Sequence, residues 1–135
     1  MKNKILIVSS NYYSDISNQL ETGVINTLKE HNFDYDIINA PGCFEIPYLI
    51  RKNINLKIYD GFVALGCIIK GDTYHFEIIA NETARKIMDL SVEQLVPIGL
   101  GILTCYDLEQ AKIRSNINKK NKGREAALAC IKLIK

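Results

Sequence analysis

Four apolar, β-branched runs divide the chain: residues 4–9 (KILIVS), 35–40 (YDIINA), 61–69 (GFVALGCII) and 96–103 (VPIGLGIL). None alternates cleanly between apolar and polar positions, as expected of strands covered on both faces of a parallel sheet. The last run contains Gly99 and Gly101, which weaken its outline as a strand. Between these runs the period changes to that of a helix. Over residues 15–31, Ile16, Leu20, Val24 and Leu28 recur every four positions and predict one stripe packed on the sheet. Residues 44–54 read as a short helix with Pro47 in its first turn. Residues 74–90 carry Ile78, Ile79, Ile87 and Met88 at helical spacing. Asp107 followed by Gln110 resembles a capping box opening a fourth helix, and Asn121 is a cap for a last helix over 122–134.

The order β-α-β-α-β-α-β-α-α predicts a doubly wound, three-layer α/β/α domain on a four-stranded parallel sheet, because parallel neighbours need right-handed helical crossovers. At 135 residues the expectation is one domain, 1–135. The composition, 47% hydrophobic and 24% charged, is that of a soluble globular protein. MKNKILIVSS is too short and too strand-like for a signal peptide, and no apolar run reaches membrane-spanning length. A cytoplasmic protein with neither membrane nor nucleic acid as partner is expected. Cys43, Cys67, Cys105 and Cys130 form no CxxC pair and read as reduced, mostly buried thiols.

Charge is uneven. Residues 111–135 hold eight Lys/Arg against Glu125, a balance of +7, while the remainder carries nine basic and fourteen acidic residues, −5. That is either an anion-binding end or a solvated lysine-rich helix.

In doubly wound sheets ligands bind beyond the carboxyl ends of the strands. Those ends read Ser9-Ser10-Asn11-Tyr12-Tyr13, Pro41-Gly42-Cys43-Phe44-Glu45, Lys70-Gly71-Asp72-Thr73-Tyr74-His75 and Thr104-Cys105-Tyr106-Asp107. A metal site is not expected, since zinc sites take closely paired ligands and these cysteines are dispersed. The turn SSNYYSDI has no glycine and matches no phosphate-loop pattern. Gly71-Asp72-Thr73 at a helix start exposes amides suited to an anion, or is an ordinary cap. His75, in the first turn of that helix, is suited to accepting and returning a proton near pH 7, or is structural. His31, near a helix end, reads as surface. Arg114 and Lys122 are phosphate cations or solvated charges.

Taken in order, PGCFEIP, LGCIIKGDTYHFE, LTCYDLEQAKIR and NKG resemble the lumazine synthase family, over nearly the whole chain. The resemblance implies a flavodoxin-like fold and condensation of a ribitylamino-pyrimidinedione with 3,4-dihydroxy-2-butanone 4-phosphate, without metal or organic cofactor. It implies that Tyr12 stacks on the pyrimidine, that Cys43, Phe44 and Glu45 hold the ring and ribityl chain, and that Cys67, Ile68 and Ile69 line the ring pocket. Asp72 and Thr73 match phosphate-binding positions, Arg114 the principal phosphate cation, Lys122 a nearby lysine, and His75 the catalytic histidine. Leu100 stands where the family usually has phenylalanine, which implies that it forms one wall of the ring pocket and makes that wall aliphatic. Tyr12-Tyr13 stand where the family has Phe-Asn. Between Arg114 and Asn121, SNINKK lacks the family's glycine-containing turn. The resemblance further implies pentamers with active sites between subunits, and the altered turn points to a pentamer that does not build a larger shell. A non-catalytic flavin carrier would need neither His75 nor Arg114. A riboflavin synthase of similar fold would not need the phosphate-site residues.

Overall fold

The structure, a computed structural model, describes residues 2–134. Its elements run β1 (Lys4–Ser10), α1 (Ser14–Glu30), β2 (Asp34–Ala40), a 3-10 turn (Cys43–Glu45), α2 (Ile46–Ile54), β3 (Gly61–Ile69), α3 (His75–Gln94), β4 (Ile98–Cys105), α4 (Leu108–Ser115) and α5 (Lys122–Ile134). The strands form one parallel sheet in the order β2-β1-β3-β4. Helices α1, α4 and α5 cover one face over Ile5, Ile7, Val63, Leu65 and Leu103. Helices α2 and α3 cover the other over Leu6, Val8, Phe62, Ala64 and Ile98. This is the three-layer, flavodoxin-like arrangement expected, and no helix among the described residues is long and apolar enough to cross a membrane.

Local sequence explains most of the boundaries. The Ile16, Leu20, Val24 and Leu28 stripe of α1 is wholly buried. Pro47 sits at the start of α2, where its missing N–H has no helical partner to lose. The Asp107 side chain accepts the Gln110 N–H at 2.8 Å, while Gln110 Oε1 accepts the Tyr106 N–H at 2.9 Å, one residue before the reciprocal bond of a capping box. Asn121 Oδ1 accepts the Arg124 N–H at 3.3 Å and opens α5. Gly123 then lets α5 cross α1 against the Leu20 carbonyl, where a Cβ has no room.

Three expectations need correction. The fourth strand runs Ile98–Cys105 rather than 96–103. Pro97 has no N–H to give a ladder, so its carbonyl instead takes the Phe62 N–H at 2.9 Å and pairing begins after it. The strands are not all covered on both faces: β2, at the edge, keeps Asp34, Ile37 and Asn39 exposed, and β4, at the other edge, exposes Leu100 and Thr104. Finally α3 extends to Gln94, and of its four apolar positions Ile87 is buried and Ile79 half-buried, while Ile78 and Met88 face outward at 47% and 64% exposure.

Candidate active site

The sheet order changes direction between β1 and β3, since β1 leads outward to β2 and β3 leads the other way to β4. Above that point opens a cleft of about 320 Å³, lined by Ser10, Tyr12, Tyr13, Gly42, Cys43, Cys67, Ile68, Ile69, His75 and Ile79. It lies where carboxyl-end crevices of such sheets form. A larger hollow of about 390 Å³ sits at the amino ends of β1 and β2. Its lysines Lys2 and Lys4 are paired with Asp34 and Asp36 at 3.6 and 3.0 Å. That hollow holds none of the expected site residues.

Each wall of the cleft has a local cause. Ser10 closes β1, and its carbonyl accepts the Ser17 hydroxyl at 2.8 Å, fixing how the chain turns into α1. The Tyr12 ring stands edge-on to Tyr13, with centroids 4.9 Å apart at 81°. Tyr12 is 77% exposed, whereas Tyr13 is half-buried and packs on the core. Burial raises the Tyr13 phenol above its ordinary range.

The opposite wall is made of thiols and aliphatic groups. Burial pushes the Cys43 thiol up and the Cys67 thiol to about 12, so both present neutral S–H groups to the cleft. The Glu45 carboxylate folds back over Gly42, 3.1 Å from where a Cβ would stand there. That places an acceptor beside Gly42 at the rim of the cleft.

His75 is the first residue of α3 and is exposed. Its backbone N–H donates to Thr73 Oγ1 at 3.3 Å, tying it to the Gly71-Asp72-Thr73 turn, which is exposed throughout. The imidazole makes no hydrogen bond among the described residues. It stands at the cleft mouth, one helical turn before Ile79.

Six expected residues, Tyr12, Cys43, Cys67, Ile68, Ile69 and His75, therefore meet in one cleft. The others do not line it. Phe44 faces a separate groove of about 220 Å³ with Pro47, Glu82, Thr83, Arg85 and Lys86. Leu100 is half-exposed on edge strand β4. Arg114 holds the Gln110 carbonyl at 3.3 Å, and its charge partly offsets the rise that burial gives the Cys105 thiol. Lys122 pairs with Glu125 at 3.1 Å. Ser10, Tyr13 and Gly42 are lining residues at the strand ends that gained no individual role in the sequence. Ile79 could have been found from its i+4 spacing to His75. Among the described residues no group of three or more His, Cys, Asp or Glu is placed to hold a metal ion.

Comparison with known proteins agrees over the full length of these features. A family model described as 6,7-dimethyl-8-ribityllumazine synthase matches residues 2–135. The 6,7-dimethyl-8-ribityllumazine synthase of Bartonella henselae is 47% identical over 132 residues, covering 96% of this chain and 85% of that protein. The protein of the same name from Zymomonas mobilis is 44% identical over 128 residues, covering 95% and 91%. The one from Agrobacterium fabrum is 43% identical over 138 residues, covering 98% and 93%.

Proposed function

This chain belongs to the 6,7-dimethyl-8-ribityllumazine synthase family, and on that premise we propose that it condenses 5-amino-6-(D-ribitylamino)uracil with 3,4-dihydroxy-2-butanone 4-phosphate. The products are 6,7-dimethyl-8-ribityllumazine, phosphate and water, a step of riboflavin biosynthesis. The observation that carries the residue-level reading is the cleft at the β1/β3 switch point, where Tyr12, Cys43, Cys67, Ile68, Ile69 and His75 converge.

The reaction needs proton transfer at every stage. The pyrimidine amine attacks the ketone, and water leaves to give an imine. Phosphate is then eliminated, and the ribitylamino nitrogen closes the second ring with loss of a second water. In this reading the pyrimidine stacks on exposed Tyr12, against the neutral wall of Cys43 and Cys67. Its polar edges meet the strand-end backbone at Cys67, Ile68 and Ile69. Phe44 and Glu45 follow the ribityl chain along the rim. His75 takes and returns protons at the mouth. The amides of the Gly71-Asp72-Thr73 turn, with the positive end of α3 behind them, receive the phosphate, so that Asp72 and Thr73 contribute mainly through backbone and hydroxyl donors. Arg114 and Lys122 supply the cations for the departing dianion. Holding two substrates together contributes more than any one side chain.

The cleft of one chain lacks Leu100, Arg114 and Lys122, and these lie on β4 or on elements after it. A second copy that brings those elements over the cleft mouth completes the site. This supports a homo-oligomer with active sites between subunits, and the family resemblance makes that oligomer a pentamer. Four unpaired buried thiols support residence in the reducing cytoplasm. The whole chain serves as a single domain, 1–135, and requires no cofactor.

The reading is tested by mixing purified protein with both substrates and following lumazine fluorescence together with phosphate release. Acceleration well above the buffer rate is expected. A rate equal to buffer would overturn it.

A further inference from the structure

The turn that carries Gly71, Asp72 and Thr73 has little to rest on. All three residues are exposed, as are Tyr74 and His75. The N-cap residue of α3, Tyr74, makes no side-chain cap, and the one such bond at this end is the long contact from the His75 N–H to Thr73 Oγ1. A Cβ added to Gly71 would meet nothing within 4 Å. Such a segment orders an anion poorly unless its ends are fixed.

Both ends are held, and Lys70 takes part at each. At the entrance, the Lys70 N–H donates to the Cys105 carbonyl at 2.9 Å, anchoring β3's exit to the end of β4. From that anchor the Lys70 ammonium reaches past the Phe76 ring, 5.7 Å from its centroid, to Glu77 Oε2 at 2.8 Å. Glu77 belongs to the first turn of α3, two residues beyond His75. The bond therefore closes the segment 71–76 into a loop with a fixed span. Glu77 Oε1 is buried and has no hydrogen-bond partner among the described residues, so Lys70 is the carboxylate's one side-chain counterion there.

We propose that Lys70 and Glu77 form a positioning clamp that holds the Gly71-Asp72-Thr73 turn and His75 in register for the phosphorylated substrate. This rests on the reading that the turn receives that substrate's phosphate. Neither residue lines the cleft, so both act through the turn. The pair has a second effect at the same place. A bare Glu77 carboxylate in the first turn would repel a bound dianion, and Lys70 cancels that charge. A half-exposed pair contributes little to global stability, so its loss falls on substrate binding rather than on melting temperature.

Steady-state kinetics on the intact protein separate the possibilities. Lys70→Met should raise KM for the butanone phosphate roughly tenfold and leave KM for the pyrimidine within about twofold. Glu77→Gln should act in the same direction by about threefold, and Lys70→Arg should restore the wild-type values within about twofold. Melting temperatures should stay within about 3 °C of wild type. Binding of inorganic phosphate, followed by phosphorus NMR titration, should weaken in the same order. A Glu77→Gln protein with tighter phosphate binding would overturn the proposal, because Lys70 would then be a direct phosphate cation that Glu77 restrains. Unchanged phosphate affinity in Lys70→Met would overturn it as well, leaving an ordinary surface ion pair. The titration also keeps two failures apart. A wild type that binds phosphate but forms no lumazine loses the reaction while the clamp is still judged on affinity. A wild type that binds no phosphate loses the clamp.

Discussion

Gly99 of β4 lies directly against the carbonyl of Ala126 on α5, so closely that a single Cβ would displace the helix. The glycine that blurs the fourth strand in the sequence is thus what lets α5 seat on the sheet. The obstacle is backbone, which cannot rotate aside as a side chain can. Gly99→Ala is expected to lower stability by about 3 kcal/mol, at the upper end of overpacking effects. Urea unfolding at neutral pH would show it, and an unchanged midpoint would mean that α5 shifts freely.

His75→Ala should slow turnover by roughly tenfold to a hundredfold, at or below the low end of general acid–base effects. KM for either substrate should change little, since the imidazole at the mouth is not the main contact of either. Single-turnover fluorescence at saturating substrates reads the chemical step. A variant as fast as wild type would remove His75 from proton transfer.

The proposed sharing of the site between copies is tested by a complementation experiment. His75→Ala and Arg114→Ala proteins should each be impaired, Arg114→Ala chiefly in affinity for the phosphate substrate. Unfolded together and refolded as a mixture, they should regain activity, because some interfaces then combine an intact cleft with an intact Arg114. Mixtures no better than the average of the parents would place Arg114 over its own chain's cleft.

The thiols give a pH prediction. Burial raises Cys67 and Cys130 to about 12 from an ordinary value of 9.0. Their folded values lie above their unfolded ones, so the folded state keeps protons that the unfolded chain releases. The stability they contribute is intact below about pH 9 and is lost as pH rises toward 12. Urea midpoints should fall over that window, and native protein should resist alkylation at pH 8. Rapid labelling of Cys67 under native conditions would contradict this.

In solution the assembly should be a pentamer that stops at that size. Multi-angle light scattering is the measurement, and a particle near sixty subunits would refute it.

How far the sequence reached depends on what each signal measures. Four-residue periodicity located α1 because its stripe packs on the chain's own sheet. The same periodicity cannot tell that kind of burial from an outward apolar face, so Ile78 and Met88 were grouped with Ile87 although only Ile87 is buried. The strand-end rule reached the cleft because Ser10, Cys43 and Cys67 are fixed by topology alone. It could not assign Arg114 or Leu100, which do not line the cleft of their own chain. Lys70 and Glu77 were legible as residues, but their bond across the turn required the two ends to be seen folded together.

Leu100 on the edge of β4 and the cleft over β1 and β3 are different patches of one surface. If each must meet the other, the contact joins unlike faces and runs head to tail. Two copies then leave one cleft finished and one bare, and every added copy repeats the deficit until the chain of contacts closes on itself. A closed ring has as many finished clefts as members, with no need for an even number. Specific activity should therefore rise with each contact and reach its full value on closure of the ring, and dilution to single copies should abolish it before any subunit unfolds.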